Sequence, residues 1–163
     1  MVDRIGTEGA DSLVGSGDAD SLVGLGGDDT LRGLQGADTL LGNTGNDFVD
    51  GGGDNDLLFA GKGDDEILGR EGRDTIYGDI GNDLVNGEDA EDTLFGNNDQ
   101  DTLNGGSSAD ILYGGQGNDS MNGGSENDLL FGDLGQDTII GGIGDDSFAI
   151  GPGFGTDFIL DYG

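Results

Sequence analysis

The sequence predicts an all-β fold, a parallel β-roll (β-solenoid) with two nonapeptides per 18-residue coil, about eight coils and a C-terminal capping segment. Three observations predict it. An Asp recurs every nine residues from Asp11 to Asp146, in sixteen consecutive nonapeptides that cover residues 6–149. An apolar residue stands two places after each of these Asp residues, and a Gly stands five places before each, except at Ala60. A carboxylate, an apolar residue and a flexible turn that share one period indicate stacked repeats, each covering the apolar face of the next.

Each nonapeptide contains a turn and a strand. When the leading Gly is position one and the recurrent Asp is position six, the first six positions are rich in turn-forming Gly, Asn and Asp. The last three positions predict a short strand, and its central residue, position eight, is always apolar and faces inward. Stacked coils then form two parallel sheets across a thin core. We expect a lead-in at residues 1–5, the roll at residues 6–149 and the capping segment at residues 150–163.

The composition favours cations as partners and argues against several other classes. The chain has 163 residues with 38 Gly, one Pro and a net charge of −30. Nucleic acids and anionic membranes are bound through basic patches, which such a chain does not offer. It has no Cys and no His, which excludes disulfides, thiolate or imidazole ligands and a His general base. We find no Sec-type signal in the sequence and no apolar run of membrane-spanning length.

The repeated Asp residues predict calcium sites. One inward apolar side chain per nonapeptide is too small a core to offset the entropy of ordering the chain, and stacked carboxylates repel one another. Carboxylate and carbonyl oxygens select a hard ion, and flexible Gly-rich turns suit Ca²⁺ better than Mg²⁺. One ion between adjacent turns of the same edge gives at most about fourteen ions, whose charge of about +28 nearly cancels that of the chain. The predicted metal ligands are the Asp residues at position six: Asp11, Asp20, Asp29, Asp38, Asp47, Asp56, Asp65, Asp74, Asp83, Asp92, Asp101, Asp110, Asp119, Asp128, Asp137 and Asp146.

The nonapeptide resembles the RTX (repeats-in-toxin, hemolysin-type) calcium-binding repeat, Gly-Gly-x-Gly-x-Asp-x-U-x, where U is apolar. Residues 114–122, Gly-Gly-Gln-Gly-Asn-Asp-Ser-Met-Asn, fit this pattern in full, and the resemblance covers residues 6–149. The resemblance implies a β-roll that is unfolded without Ca²⁺ and folds on binding it. It also implies type I secretion to the outside of a Gram-negative cell. In the family the position-six Asp ligates the ion with turn carbonyls, and this role carries over to the sixteen Asp residues.

The tail resembles the capping segment of the same family. After Phe148 the period slips by two residues, the single Pro152 lies at the slip, and residues 153–162 are more apolar than the repeats. The open end of a solenoid exposes its core and an unpaired sheet edge, so a cover is expected there. We expect the chain to continue in a longer parent protein.

The two edges of the predicted roll differ. Odd-numbered repeats supply the turns of one edge, the odd edge, and even-numbered repeats supply those of the even edge. Position four departs from Gly in six repeats, and all but one of the departures fall on the even edge: Asp18, Asp54, Ala90, Asp99, Ser108 and Glu126. The even-edge sites are either weaker or unaffected, since carbonyl ligands tolerate many side chains.

Position nine predicts a row of rings on the outer face of one sheet. Even-numbered repeats place an aromatic residue there at a spacing of eighteen: Phe59, Tyr77, Phe95, Tyr113 and Phe131. The rings either stack on one another and stabilise the roll, or form a docking face for another domain or a second copy.

The leading functional hypothesis is a non-catalytic, calcium-binding structural module of a secreted bacterial protein. No catalytic residue and no cofactor other than Ca²⁺ is predicted. One alternative is the repeat region of a secreted protease, lipase or epimerase, whose active domain would lie outside this sequence. Another is an adhesin-like or ligand-binding module that uses the aromatic face. Ice binding would require a regular Thr/Asn ladder, and only residues 43–47 resemble one rung of it.

Overall fold

The computed structural model describes residues 1–149 and 155–160 of the protein. This part of the chain forms eighteen β-strands and no helix. The strands are β1 (Asp3–Ile5), β2 (Ser12–Val14), β3 (Ser21–Gly26), β4 (Thr30–Gln35), β5 (Thr39–Thr44), β6 (Phe48–Gly53), β7 (Leu57–Lys62), β8 (Glu66–Glu71), β9 (Thr75–Ile80), β10 (Leu84–Asp89), β11 (Thr93–Asn98), β12 (Thr102–Ser107), β13 (Ile111–Gln116), β14 (Ser120–Ser125), β15 (Leu129–Leu134), β16 (Thr138–Ile143), β17 (Ser147–Ala149) and β18 (Phe158–Leu160). Within the described ranges, nothing has the length and apolar character of a membrane-spanning helix.

The strands form two parallel sheets of nine strands each. Sheet 1 has the order β1-β3-β5-β7-β9-β11-β13-β15-β17, and sheet 2 has the order β18-β16-β14-β12-β10-β8-β6-β4-β2. Consecutive strands alternate between the sheets, so each coil adds one strand to both. Paired residues are eighteen apart, as for Phe59 with Tyr77 in sheet 1 and Leu84 with Thr102 in sheet 2. The predicted β-roll with two nonapeptides per coil and about eight coils is confirmed.

The strands are longer than the sequence suggested. Strands β3 to β16 have six residues, from position seven of one repeat to position three of the next, and only positions four to six form the turn. The chain bends within each strand, because position two has a positive φ. Strand pairing continues through the bend, as Arg70 and Glu88 of neighbouring strands show. Their φ values are 83° and 76°, and they pair with each other. Since neighbouring coils bend at the same register position, the ladder of hydrogen bonds continues past it.

The core consists of position-eight side chains between the two sheets, eight from each sheet. Fifteen of the sixteen are buried, and the last, Phe148, is partly buried and packs against the others. The buried residues are Leu13, Leu22, Leu31, Leu40, Val49, Leu58, Ile67, Ile76, Val85, Leu94, Leu103, Leu112, Met121, Leu130 and Ile139. The prediction that position eight faces inward is therefore confirmed.

The two ends of the roll add strands beyond the sixteen repeats. In the lead-in, β1 pairs with β3, and Arg4 stands in register with Leu22 at the core position. At the other end β18 pairs with β16, and Ile159 stands in register with Ile139, twenty residues earlier. The expected slip of two residues is confirmed by this register. The remainder of the expected capping segment, including Pro152, lies outside the described residues.

The aromatic residues form one continuous stack on the outer face of sheet 1. From Phe59 to Phe131, neighbouring ring centroids are 4.5–4.9 Å apart and the ring planes differ by 4–11°. Each ring is half-buried. The predicted row is present, and its members contact one another along the roll.

Candidate metal centres along the edges of the roll

The predicted ligands line the two edges of the roll. Each position-six Asp is the last residue of a turn and directly precedes a strand, so the parallel register brings together residues eighteen apart. The odd edge holds Asp11, Asp29, Asp47, Asp65, Asp83, Asp101, Asp119 and Asp137. The even edge holds Asp20, Asp38, Asp56, Asp74, Asp92, Asp110, Asp128 and Asp146. Asp residues nine apart therefore lie on opposite edges.

These carboxylates are buried, which is unusual for ionisable groups. Fourteen of the sixteen are buried, and the two at the ends, Asp11 and Asp146, are half-buried. Among residues 1–149 and 155–160, no three acidic side chains gather closely enough to hold a metal ion by themselves. A bound cation would therefore need backbone carbonyl oxygens in addition to the carboxylates.

One oxygen of each carboxylate is used in a hydrogen-bond ladder. The backbone N–H of each Asp donates to Oδ1 of the Asp eighteen residues later, over 2.7–2.9 Å, from Asp11 to Asp146. In the middle of the odd edge, for example, Asp83 donates to Asp101 at 2.9 Å. The ladder fixes the carboxylates in two straight rows, because a bond to a charged acceptor is among the stronger ones.

The second oxygen of most carboxylates has no partner. Oδ2 is buried without a hydrogen bond at fourteen of the sixteen residues, from Asp29 to Asp146. It lies against the Gly at position one of its own turn, where an added Cβ would stand less than 3.0 Å from it at all fifteen glycines. At thirteen of these glycines the position-one carbonyl of the next coil lies within 3.1 Å of the same point. Carboxylate and carbonyl oxygens therefore converge between successive turns, a donor set that fits a hard cation.

Burial raises the pKa of thirteen of the sixteen carboxylates, from Asp29 to Asp137, because removal from water disfavours the charged form. Backbone N–H donors offset part of this effect, and neighbouring carboxylates add to it at most positions. The pKa is raised to about 8 at Asp92 and Asp101, about 7 at Asp56, Asp65 and Asp110, and about 6 at Asp74, Asp83, Asp128 and Asp137. Without a counter-ion, the rows resist full ionisation at neutral pH.

The first coil differs from the others in the partners of its carboxylates. Thr7 donates from its N–H (2.5 Å) and its hydroxyl (2.8 Å) to Oδ2 of Asp11. Ser16 donates in the same way to Oδ2 of Asp20, at 2.6 and 2.8 Å. Burial alone would raise the pKa of Asp20, but the bonds from Ser16 and Val2 outweigh it and leave that pKa below its ordinary value. These hydroxyls were not predicted as donors. The available signal was Thr and Ser at position two, where no later repeat has a hydroxyl residue.

The odd row continues into the tail. The N–H of Asp137 donates to Oδ1 of Asp157 at 3.2 Å, so Asp157 takes the next place in the ladder. Asp157 was not predicted as a member of the row, because the two-residue slip removes it from the period of nine. Its position could have been found by allowing the slip that the tail itself indicates.

The odd edge carries a second, outer ladder at position five. Its side-chain oxygens accept the backbone N–H of the next turn at five places: from Asn46 to Asp28, Asp64 to Asn46, Asn82 to Asp64, Gln100 to Asn82 and Gln136 to Asn118, over 2.8–3.2 Å. The described even edge has two such bonds, from Arg73 to Asn55 and from Asp145 to Asn127. The turns of the odd edge are therefore held together more closely.

The two edges also differ in backbone strain at position four. On the even edge, four residues that replace Gly keep a positive φ of 72–86°: Asp54, Ala90, Ser108 and Glu126. On the odd edge, Asp99 is the only such residue among those described. This conformation is costly for any residue with a Cβ. The expected difference between the edges is thus present in the turns, whereas the strength of their sites stays a prediction.

A two-sheet parallel roll with a row of buried carboxylates along each edge defines a repeat protein whose turns offer oxygen ligands to cations. The RTX calcium-binding nonapeptide repeat matches residues 5–40, 32–67, 61–94, 86–121, 95–130, 113–148 and 122–159. These stretches overlap and span residues 5–159, so the chain belongs to the RTX calcium-binding repeat family. Membership implies that it binds Ca²⁺. No curated protein matches the chain.

Proposed function

We propose that this chain is a calcium-binding structural module in which the position-six Asp residues hold two rows of Ca²⁺ ions. The observation that carries the proposal is the set of fourteen buried carboxylate oxygens without a partner, arranged along two edges. Leaving one buried acceptor unpaired costs about 1–3 kcal/mol, and more when it is charged. A cation between successive turns would satisfy these oxygens, and the only two position-six carboxylates outside this set are Asp11 and Asp20, in the first coil.

The donor chemistry supports Ca²⁺ over other ions. The chain has no Cys or His, so its ligands are oxygen atoms only. Ca²⁺ accepts six to eight such ligands in irregular geometry, whereas Mg²⁺ demands a compact octahedron and retains its waters. We propose about fourteen ions at most. Their charge of about +28 would nearly balance the net charge of −30.

We further propose that the chain is disordered without Ca²⁺ and folds when the ions bind. The support is the thin core, with one buried apolar side chain per nonapeptide, together with rows of carboxylates whose raised pKa values reflect the cost of burying their charge. Bound Ca²⁺ supplies the positive charge that this buried ladder needs. Binding free energy then becomes folding free energy, as in other metal-dependent small domains.

The experiment is a calcium titration followed by far-UV circular dichroism. We expect a disordered spectrum in chelator and a β-sheet spectrum at about 10 mM Ca²⁺, above the range of weak extracellular sites. Mg²⁺ at the same concentration is the control and should restore little of the signal. At neutral pH, a β-sheet spectrum in chelator would overturn the proposed dependence, and equal rescue by Mg²⁺ would overturn the choice of ion.

We propose that the module belongs to a secreted bacterial protein and reaches the exterior through type I secretion. The support is its family, whose repeats are typical of secreted bacterial proteins. A module that folds only in calcium would stay extended in a low-calcium cytoplasm and become ordered outside. A chain that is folded and protease-resistant at submicromolar Ca²⁺ would contradict this route. We assign no catalytic step to the chain; the repeat region of a secreted enzyme is the alternative, and its active domain would lie outside this sequence.

For the aromatic face we propose a structural role, in which the rings stabilise the roll by stacking on one another. The support is the contact between successive rings, 4.5–4.9 Å between centroids. Docking of another domain or a second copy is the alternative. Sedimentation velocity in Ca²⁺ separates the two for the wild type and a Phe95→Ser/Tyr113→Ser variant. A monomeric wild type supports stacking alone, whereas association that the variant abolishes would establish docking.

A further inference from the structure

The backbone at position two of the nonapeptide has two states, and these coincide with whether the carboxylate of the same repeat is satisfied. In the last fourteen repeats the position-two residue has a positive φ, from Leu25 to Gly142. These are the same fourteen repeats in which Oδ2 of the position-six Asp is buried without a partner. In the first two repeats the position-two residues, Thr7 and Ser16, are absent from the positive-φ set. There the N–H and the hydroxyl of position two both donate to Oδ2.

The side chains at position two account for the difference. A positive φ suits Gly and is tolerated by Asn and Asp, and position two is one of these three residues in ten of the fourteen later repeats. Thr and Ser favour negative φ and carry a hydroxyl that bonds to nearby groups of their own turn. Thr7 and Ser16 therefore keep the backbone state without a positive φ at position two. Each supplies two donors to an oxygen that elsewhere has none.

We propose that Thr7 and Ser16 close the N-terminal ends of the two carboxylate rows, so that Asp11 and Asp20 take no calcium ion and the first coil is a metal-free end cap. This inference rests on the proposed calcium function and narrows its set of ligands. Before Asp20 the even row has no further carboxylate in register, because Val2 occupies the equivalent of position six and donates its N–H to Oδ1 of Asp20. Donors from the coil itself replace the cation.

The first test compares pairs of carboxylates that take one residue from each edge. Asp→Asn substitution keeps the shape and the Oδ1 acceptor but removes the charge. We expect the Asp11→Asn/Asp20→Asn variant to bind as many Ca²⁺ ions at saturation as the wild type, measured by equilibrium dialysis. The mid-roll pair Asp101→Asn/Asp110→Asn should lose about one ion or more from each edge. An equal loss of ions in both variants would overturn the cap, whereas no loss in either would contradict the calcium rows themselves.

The second test removes the two hydroxyls without touching a carboxylate. We expect the Thr7→Val/Ser16→Val variant to melt roughly 5–10 °C below the wild type in saturating Ca²⁺, because two bonds to charged acceptors are lost. The control is Thr102→Val/Ser120→Val, two exposed residues at position seven with no side-chain hydrogen bond in the described chain. The control should melt within about 2 °C of the wild type. If the two variants melt together, the hydroxyls do not hold the first coil and the inference fails.

Discussion

Ala90 is held in a backbone conformation that suits Gly, so Ala90→Gly should stabilise the roll. Its φ is 80°, at position four of an even-edge turn. The left-handed region costs a residue with a Cβ about 1–2 kcal/mol. Gly avoids this cost but loses about 0.5–1 kcal/mol through the greater freedom of the unfolded chain. The expected net gain is about 0.5–1 kcal/mol, or roughly 1–4 °C in melting temperature for a domain of this size.

A matched substitution isolates the contribution of φ. Ala109 is an exposed residue at position five of the next even-edge turn and is not among the positive-φ residues. Ala109→Gly carries the same entropic loss without the compensating relief, so it should melt below the wild type. The two variants should differ by about 1–2 kcal/mol, or roughly 2–8 °C. Thermal melts at one fixed Ca²⁺ concentration provide the measurement, since ligand concentration itself shifts the midpoint. Equal melting of the two variants would refute the strain assigned to Ala90.

Three further predictions concern pH, the outer ladder and the single alanine at position one. Nine carboxylates of the rows have pKa values raised to about 6–8, so their protonated form favours the metal-free fold. This contribution to stability is present below the ordinary pKa and is lost as pH rises through about 6–8. In chelator, circular dichroism should therefore show β-structure increasing from about pH 8 to about pH 5, and a flat profile would contradict this reasoning. Asn82→Ala removes the side-chain bonds to Gln100 (3.2 Å) and Asp64 (3.0 Å), and should lower the melting temperature by roughly 2–4 °C per bond; an unchanged melt would show that the outer ladder adds no stability. Ala60→Gly should raise the melting temperature in Ca²⁺. In the other fifteen repeats a Cβ at position one would stand less than 3.0 Å from Oδ2 of the same repeat's Asp, and relief of such crowding at Asp65, worth about 1–3 kcal/mol, should exceed the entropic loss; a lower melting temperature would refute it.

The period of nine residues predicted the coil, the two sheets and the inward position because these features depend on identical contacts repeated in every coil. Leu58 and Ile76, for example, are eighteen residues apart in the sequence, and they are buried and paired with each other in neighbouring coils. The two rows of Asp residues follow from the same periodicity. Their spacing fixes which carboxylates are neighbours once two strands form each coil.

Features that depend on a departure from the period were not predicted. The doubled strand length arises because bends at Arg70 and Glu88 stack on each other, which is a property of neighbouring coils and not of one repeat. The hydrogen bonds that Thr7 and Ser16 donate depend on the backbone conformation at position two of the first two repeats. Position two varies among the repeats of this chain, so the repeat pattern does not predict that conformation. Asp157 joins the odd row through a slip, so a count in nines passes over it.

The central claim is that Ca²⁺ ions lie in one row along each edge, each shared by Asp residues eighteen apart. Crystals grown in Ca²⁺, with the ions located by their anomalous scattering, test it most directly. We predict ions between successive turns of the same edge, for example bound by Asp83 together with Asp101. Ions bound jointly by residues nine apart, such as Asp47 and Asp56, or edges that carry no ions, would contradict it.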